Sequence, residues 1–136
     1  MSNPIVTADF EAAKVPKNII GRFERAFKGS MEITDWNLEI ADEAGIFFDR
    51  MIDQIVPGLA ARAFKTGMDA AREREQAAVV LARKEFIASA REPVDDKDDG
   101  FDRAEYEKLT KKTAEAWDEF FKTKRALIAT ALKSRK

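Results

Sequence analysis

The chain has 136 residues and a net charge of −1, and 36% of its residues are charged. It contains no cysteine and no histidine, which excludes disulfides, thiolate nucleophiles, imidazole bases and nearly all zinc, haem and iron–sulfur sites. A chain of this length buries about two-thirds of its unfolded surface, so we expect a single helical domain over residues 1–136 that works without a cofactor or metal.

The first 15 residues predict either a flexible segment or a short helix around Asp9 to Lys14. Because Lys14 is the first basic residue, this segment has neither the basic start nor the long apolar run of a secretory signal, and we expect a cytoplasmic protein. Uncharged runs such as residues 54–61 are far shorter than the roughly 20 apolar residues of a membrane span. No transmembrane helix is therefore predicted.

The segment VPKNIIGRFERAFKG, residues 15–29, has a proline near its start and a glycine at its end. Proline favours the beginning of a helix and glycine favours its termination. The apolar residues Ile19, Ile20, Phe23 and Phe27 fall on one side. The segment therefore predicts a short helix.

A second, longer helix is predicted from Thr34 to Val56, with Thr34 as its N-cap. Its apolar residues recur every three or four positions, which is typical of one helical face. Pro57 and Gly58 are expected to end it. The predicted apolar face consists of Ile33, Trp36, Ile40, Ala44, Phe47, Met51 and Ile55.

The opposite side of that helix is predicted to carry an acidic stripe. Like charges four residues apart cost a few tenths of a kcal/mol per pair, so a compensating positive charge is expected nearby. One interpretation is pairing with Lys17, Arg22, Arg25 or Lys28 of the preceding helix. The other is a site for a basic partner, or mimicry of a nucleic-acid backbone, and we take the stripe as the candidate partner-binding site. It consists of Asp35, Glu39, Asp42, Asp49 and Asp53.

Two long helices are predicted over residues 59–91 and 102–133, joined by an acidic connector at 92–101. A short connector favours an antiparallel hairpin. The sequence therefore predicts an all-α fold, an elongated antiparallel bundle of this hairpin and two shorter helices. In the first long helix the apolar spacing leaves open whether Glu75 or Arg74 points towards the seam of the hairpin.

The connector half resembles a calcium-binding loop, because several aspartates surround Gly100. A loop of this type needs oxygen ligands at its third and twelfth positions, which are Lys97 and Tyr106 here. A helix start explains the pattern better: Asp102 as N-cap with Glu105 forms a capping box, and Phe101 with Tyr106 forms a hydrophobic staple. We therefore predict no metal site.

The carboxyl-terminal helix ends in a cluster of basic residues. Cations near a helix C-terminus stabilise it through the helix dipole, and the same cations can contact nucleic acid or an acidic partner. Both roles, stabilisation of the helix end and contact with a partner, stay open. The basic cluster consists of Lys122, Lys124, Arg125, Lys133, Arg135 and Lys136.

Catalytic chemistry has little support in this composition, because the four serines have no histidine to activate them. We therefore predict a non-catalytic protein that acts by protein–protein contact, as an adaptor, inhibitor or assembly subunit, with another protein or a second copy of itself as partner. The alternative is a nucleic-acid-associated protein that uses the basic cluster.

Overall fold

The computed structural model of the protein describes residues 3–89 and 103–135. Helices dominate it, and the two strands have two residues each, so the prediction of an all-α fold with two long helices is confirmed. The strands pair antiparallel, Ile5 with Met31 and Val6 with Ser30. In chain order the elements are β1 (Ile5–Val6), α1 (Thr7–Ala12), α2 (Lys17–Phe27), β2 (Ser30–Met31), α3 (Asp35–Glu43), a 3-10 helix (Phe48–Arg50), α4 (Ile52–Ile55), α5 (Leu59–Ser89) and α6 (Arg103–Lys133).

The residues group into two compact units. Unit 1 comprises Met1–Met68 and Thr123–Lys136, and unit 2 comprises Asp69–Lys122. Each long helix contributes to both units. The expectation of one domain over residues 1–136 stays a prediction.

The core of unit 1 is built on three phenylalanines from three short elements. Phe10 of α1, Phe23 of α2 and Phe48 of the 3-10 helix are each at most 1% exposed. The ring centroid of Phe10 lies 4.5 Å from that of Phe23 and 5.9 Å from that of Phe48. Aromatic pairs at such distances contribute roughly 0.5–1.5 kcal/mol beyond the burial of their area, so this cluster holds together helices too short to be stable alone.

The amino-terminal segment forms the short helix that was one of its two predicted states. Helix α1 begins at Thr7, two residues before the expected start. The Val6 backbone N–H donates to Oδ2 of Asp9 at 2.8 Å, which satisfies a free donor at the helix start.

The predicted helix after Pro16 is confirmed. Helix α2 runs from Lys17 to Phe27 and ends where Lys28 adopts a left-handed conformation, with φ of 55°. The Lys28 N–H donates to the Glu24 carbonyl at 2.8 Å.

The predicted continuous helix from Thr34 to Val56 is wrong. Thr34 is the N-cap as expected, and its Oγ1 accepts a hydrogen bond from the Asn37 N–H at 3.1 Å. Helix α3 nevertheless ends at Glu43, because Gly45 takes a φ of 80°. The Ile46 N–H donates to the Ala41 carbonyl at 2.8 Å and the Gly45 N–H donates to the Asp42 carbonyl at 3.1 Å. These two bonds define a Schellman motif, in which glycine ends a helix at no steric cost.

This early termination also overturns the predicted apolar face. Trp36 is 71% exposed and Phe47 is 39% exposed, and Met51 is the one member of the predicted face that is buried. Beyond the glycine the chain no longer follows the helical spacing on which the prediction rested. The buried residues of the segment are instead Leu38, Ala41, Ile46, Phe48, Met51, Ile52 and Val56.

In unit 2, α5 and α6 form the antiparallel hairpin that the sequence predicts. The Glu85 and Lys112 side chains form an ion pair, and the ring centroids of Phe86 and Tyr106 lie 6.1 Å apart. Of the two candidate charges, Glu75 is partly buried at the seam, whereas Arg74 is exposed.

The seam of unit 2 is lined by small residues. Ala71 and Ala82 are 3% exposed, and among the described residues of this unit they are the only ones that are fully buried. A two-helix unit closed by alanines leaves its larger apolar side chains on the outside.

The acidic connector 92–101, the rejected calcium loop and the Asp102 cap with Phe101 lie outside the described residues. Within the described ranges, no helix combines the length and the apolar character needed to cross a membrane.

Candidate functional site

The predicted acidic stripe is not one helical surface. Asp35, Glu39 and Asp42 lie on α3, Asp49 lies in the 3-10 helix and Asp53 lies on α4. Since α3 ends at Glu43, these carboxylates no longer follow a common helical spacing. Asp35, Glu39 and Asp53 are exposed, whereas Asp42 and Asp49 are partly buried.

Asp49 is paired within the protein rather than free for a partner. The Lys124 Nζ lies 3.4 Å from the Asp49 Oδ2, and the two side chains are only 18% and 22% exposed. The second oxygen, Oδ1, is buried and accepts no hydrogen bond from the described part of the chain. The structure thus brings together one member of the acidic stripe and one member of the basic cluster.

The charge of Asp42 is offset only in part by cations of α6. Burial raises the pKa of the Asp42 carboxyl above its ordinary value of 3.8, and the carboxylates of Asp49 and Glu39 raise it further. The cations of Lys124 and Arg125 act in the opposite direction. The expectation that α2 supplies the compensating charge is therefore wrong for this part of the stripe, because the cations come from α6.

Arg22, one of the α2 residues expected to pair with the stripe, has a different role. Its Nη1 donates to the Gly45 carbonyl at 3.3 Å. The guanidinium therefore supports the turn that ends α3 instead of neutralising a carboxylate.

The basic cluster is also partly committed to the fold. The Arg135 side chain is 8% exposed and lies 3.7 Å from the Asp9 carboxylate. Its guanidinium donates to the carbonyls of Asn3 at 2.7 Å, Leu132 at 2.7 Å and Pro4. Arg135 therefore fastens the residues before β1 to the end of α6.

The other members of the basic cluster differ in exposure. Lys122 and Lys133 are exposed and Arg125 is partly buried. Lys136 lies outside the described residues. Lys124 and Arg135 form ion pairs within the protein, and the charge of Arg125 acts on Asp42.

An exposed aromatic surface of unit 2 was not predicted as a site. It is a groove of about 420 Å³ between α5 and α6. Trp117 is 52% exposed there and Tyr106 48%, and the Phe121 ring lies 5.7 Å from the Trp117 ring. We call this surface, completed by Phe121, the aromatic face. The groove is lined by Arg83, Tyr106, Leu109, Thr110, Thr113, Ala114 and Trp117.

The aromatic face is almost free of charge. The α6 residues that line the groove, together with Phe121, extend over more than four helical turns, and none of them is charged, although the other residues of the same stretch are mostly lysine and glutamate. Arg83 on α5 is the one charged residue among those that line the groove. Glu107 and Asp118 are exposed and each follows an aromatic residue of the face by one position, which places them on the outer edge of α6.

The opposite side of the hairpin has a different character. A second groove, of about 350 Å³, contains Leu81 together with the charged residues Glu85, Lys112 and Glu115. The Lys112 ammonium, through its hydrogen bond and its charge, lowers the pKa of Glu85. The exposed aromatic side chains of unit 2 therefore lie on the aromatic face, while the second groove is bordered by an ion pair.

Sequence reasoning missed the aromatic face because it selected one apolar stripe for α6. The helical spacing of that stripe runs through Tyr106, Leu109, Phe120 and Leu127. Trp117 and Phe121 fall beside it. The available signal was their spacing from Tyr106, 11 and 15 positions along the chain, which keeps all three on one side of a helix.

No known protein family, curated protein sequence or solved structure matches this chain. Among the described residues, no three acidic side chains cluster closely enough to hold a metal ion. The function is therefore inferred from the surfaces of the protein itself.

Proposed function

We propose that the protein acts by protein–protein contact, as an adaptor, inhibitor or assembly subunit, and not by catalysis. The observation that supports this most is the half-exposed Trp117 at the centre of the aromatic face. Contiguous apolar patches on soluble proteins mark interaction sites, and tryptophan and tyrosine dominate the binding energy of such sites.

Covering the exposed half of a large aromatic side chain removes roughly 100 Å² from water, worth about 2.5 kcal/mol at about 25 cal/mol per Å². Trp117 and Tyr106 of the aromatic face are both about half exposed. A partner that covers these residues gains several kcal/mol before the cost of association is subtracted.

The charged residues have a secondary place in this proposal. Asp35, Glu39 and Asp53 are exposed, which supports the proposal that they contact a basic partner. Asp49 is paired with Lys124 of α6, and the cations of Lys124 and Arg125 act on Asp42. Charge therefore tunes partner choice and encounter rate, while apolar contact supplies affinity.

The alternative, nucleic-acid binding through the basic cluster, has less support. Lys124 and Arg135 are tied into unit 1, which leaves fewer cations for phosphates. Binding of that kind weakens steeply with salt. Retention on DNA and RNA between about 50 and 200 mM salt distinguishes it from apolar contact.

Capture of partners from nuclease-treated extract of the native cell tests the proposal. The baits are the wild-type protein, Trp117→Glu on the aromatic face and Leu81→Glu in the second groove. Leu81 is a matched control because it is 58% exposed and lies on the same hairpin. We expect partners that bind wild type and Leu81→Glu but not Trp117→Glu. Equal recovery by all three baits, or no specific partner for any of them, contradicts the proposal.

A further inference from the structure

We infer that the aromatic face binds a second copy of this chain, in a two-fold dimer in which each α6 lies in the groove of the other copy. This inference rests on the proposed function, because it names the partner of the same surface. Three features favour a second copy: the register of the hairpin, the placement of its charges and the size of the face.

The register follows from contacts within unit 2. The Glu85–Lys112 ion pair and the contact between the Phe86 and Tyr106 rings place residues 83–86 of α5 at the level of residues 106–112 of α6. A two-fold axis parallel to the helices preserves height along the hairpin. Because the hairpin is antiparallel, Arg83 lies near the level of Leu109 to Thr113, which line the groove with it. Glu107 of the second copy then lies about one helical turn from Arg83 along the axis, within reach of two long side chains.

The charges match across such an interface. Arg83 is the charged residue that lines the groove, and Glu107 and Asp118 are exposed on the outer edge of α6. When α6 of the second copy lies in the groove, that edge turns towards α5 and brings Glu107 to Arg83. The two-fold axis generates this pair twice, as an isologous interface requires.

A two-fold axis perpendicular to the helices is disfavoured by the same charges. It places α5 of one copy against α5 of the other. Arg72 precedes Arg83 by 11 positions, about three helical turns, and therefore lies on the same side of α5. That arrangement brings the arginines of the two α5 helices towards one another, of which Arg72 is ion-paired with Asp69, and like-charge contacts at an interface are costly.

The size of the aromatic face suits a dimer. The stretch from Tyr106 to Phe121 rises about 24 Å, and two adjacent helices are about 20 Å wide. The projected footprint is roughly 500 Å², and the accessible area of a ridged helical surface is larger than its projection. This is of the order of the about 800 Å² that each partner buries in a standard interface.

The test uses purified full-length protein carrying Trp36→Phe. The chain has two tryptophans and Trp36 is 71% exposed, so this substitution leaves Trp117 as the one fluorescent reporter at little structural cost. We expect sedimentation equilibrium to give the mass of two chains and the Trp117 emission to move to shorter wavelength as concentration rises. Leu81→Glu should preserve both results.

Charge reversal tests the arrangement without removing the tryptophan. We expect Arg83→Glu and Glu107→Arg each to raise the dimer dissociation constant at least tenfold, because each homodimer then contains two repulsive contacts. An equimolar mixture of the two variants should associate with nearly wild-type affinity. Its heterodimer contains one reversed pair and one native pair, and both attract. Circular dichroism confirms that each variant remains helical.

Each outcome decides the inference. A purified protein that stays monomeric at the highest concentration overturns it, and so does a dimer that survives Trp117→Glu. The two-fold arrangement is overturned if Arg83→Glu and Glu107→Arg leave the dimer dissociation constant unchanged. It is also overturned if the mixture of the two variants does not recover the wild-type affinity. A monomer that still captures face-dependent partners from extract overturns the dimer alone and leaves the proposed function standing.

Discussion

The Lys124 ammonium lies 3.4 Å from the Asp49 carboxylate in unit 1, and this contact joins two charged surfaces that appear independent in the sequence. Both side chains are about four-fifths buried, so solvent screens the pair less than it screens a surface ion pair. The contact links α6 to the 3-10 helix. It gives the acidic segment a structural role in addition to any binding role.

Charge reversal at Asp49 is therefore expected to damage the fold. Asp49→Lys places two ammonium groups together in a mostly buried position, and breaking a pair of this kind costs about 2 kcal/mol or more. Urea denaturation followed by circular dichroism measures the change in the free energy of unfolding. The double variant Asp49→Lys with Lys124→Asp exchanges the two charges. If it recovers part of the lost free energy of unfolding, the contact between residues 49 and 124 is the cause of the loss.

Glu39→Lys is the matched control for Asp49→Lys. Glu39 belongs to the same acidic stripe but is exposed, and surface substitutions of this kind change stability by less than about 0.5 kcal/mol. Equal unfolding curves for the two variants would mean that the Asp49–Lys124 contact contributes nothing to stability.

The Thr34 cap could be predicted from neighbouring residues, whereas the end of α3 at Gly45 could not. Thr34 was identified as a cap because its hydroxyl satisfies a backbone donor three residues away. Gly45 was read as part of a helix because the apolar spacing continues past it, although glycine with a positive φ ends α3. Periodicity reports which side chains could share a face, and it does not report whether the backbone remains helical between them.

The candidate site contains contacts that residue spacing does not predict. The pairing of Asp49 with Lys124 joins residues far apart in the chain, so no spacing rule predicts it. The hairpin itself was predictable from two long apolar patterns and a short connector. The exposed fraction of each helix depends on how many other elements pack against it. The sequence does not give that number, so it could not assign Trp117 to the core or to the surface.

Two glycines in helices of unit 1 should respond oppositely to the same substitution. A Cβ added at Gly67 of α5 would lie 2.7 Å from Cδ2 of Leu127 on α6. Overpacking costs about 1–3 kcal/mol and outweighs the helix-propensity gain of about 1 kcal/mol. Gly67→Ala should therefore lower the urea midpoint, and combining it with Leu127→Ala should give less than the sum of the two single losses.

Gly21 provides the contrast. It lies inside α2, and an added Cβ there would come no closer than 3.8 Å, to Nη1 of Arg25. Gly21→Ala should raise the free energy of unfolding by about 0.5–1 kcal/mol through helix propensity alone. A Gly67→Ala protein as stable as Gly21→Ala would show that α5 and α6 do not require their close approach.

Arg135→Ala should loosen the amino-terminal segment of unit 1. The arginine donates to the carbonyls of Asn3 and Pro4 and pairs with Asp9, and hydrogen bonds to charged groups contribute about 1.5–3 kcal/mol. Hydrogen exchange at the Thr7 amide, which donates to the Gly29 carbonyl, should become faster. Lys133→Ala, at an exposed position of the same helix, should leave this exchange rate unchanged, and equal rates in both variants would contradict the anchoring role.

The raised pKa of Asp42 predicts a stability change with a defined sign. Burial of the carboxyl raises this pKa most. The carboxylates of Asp49 and Glu39 also raise it, whereas the cations of Lys124 and Arg125 lower it. Because the folded-state pKa lies above 3.8, the folded protein holds this proton more tightly than the unfolded chain does. The group therefore contributes most to stability at pH values below 3.8, and this contribution is lost as the pH rises through the raised pKa.

Asp42→Asn removes the charge whose burial is unfavourable while keeping the size of the side chain. We expect the variant to melt at a higher temperature than wild type at pH 7, and the difference to shrink when both proteins are measured near pH 3. Asp35→Asn is the informative control, since Asp35 is exposed in the first turn of α3. There a carboxylate favours the helix dipole by about 0.3–1 kcal/mol, so its loss should lower the melting temperature at pH 7. Asp42→Asn behaving like Asp35→Asn would mean that attraction to Lys124 and Arg125 outweighs the cost of burying the Asp42 charge.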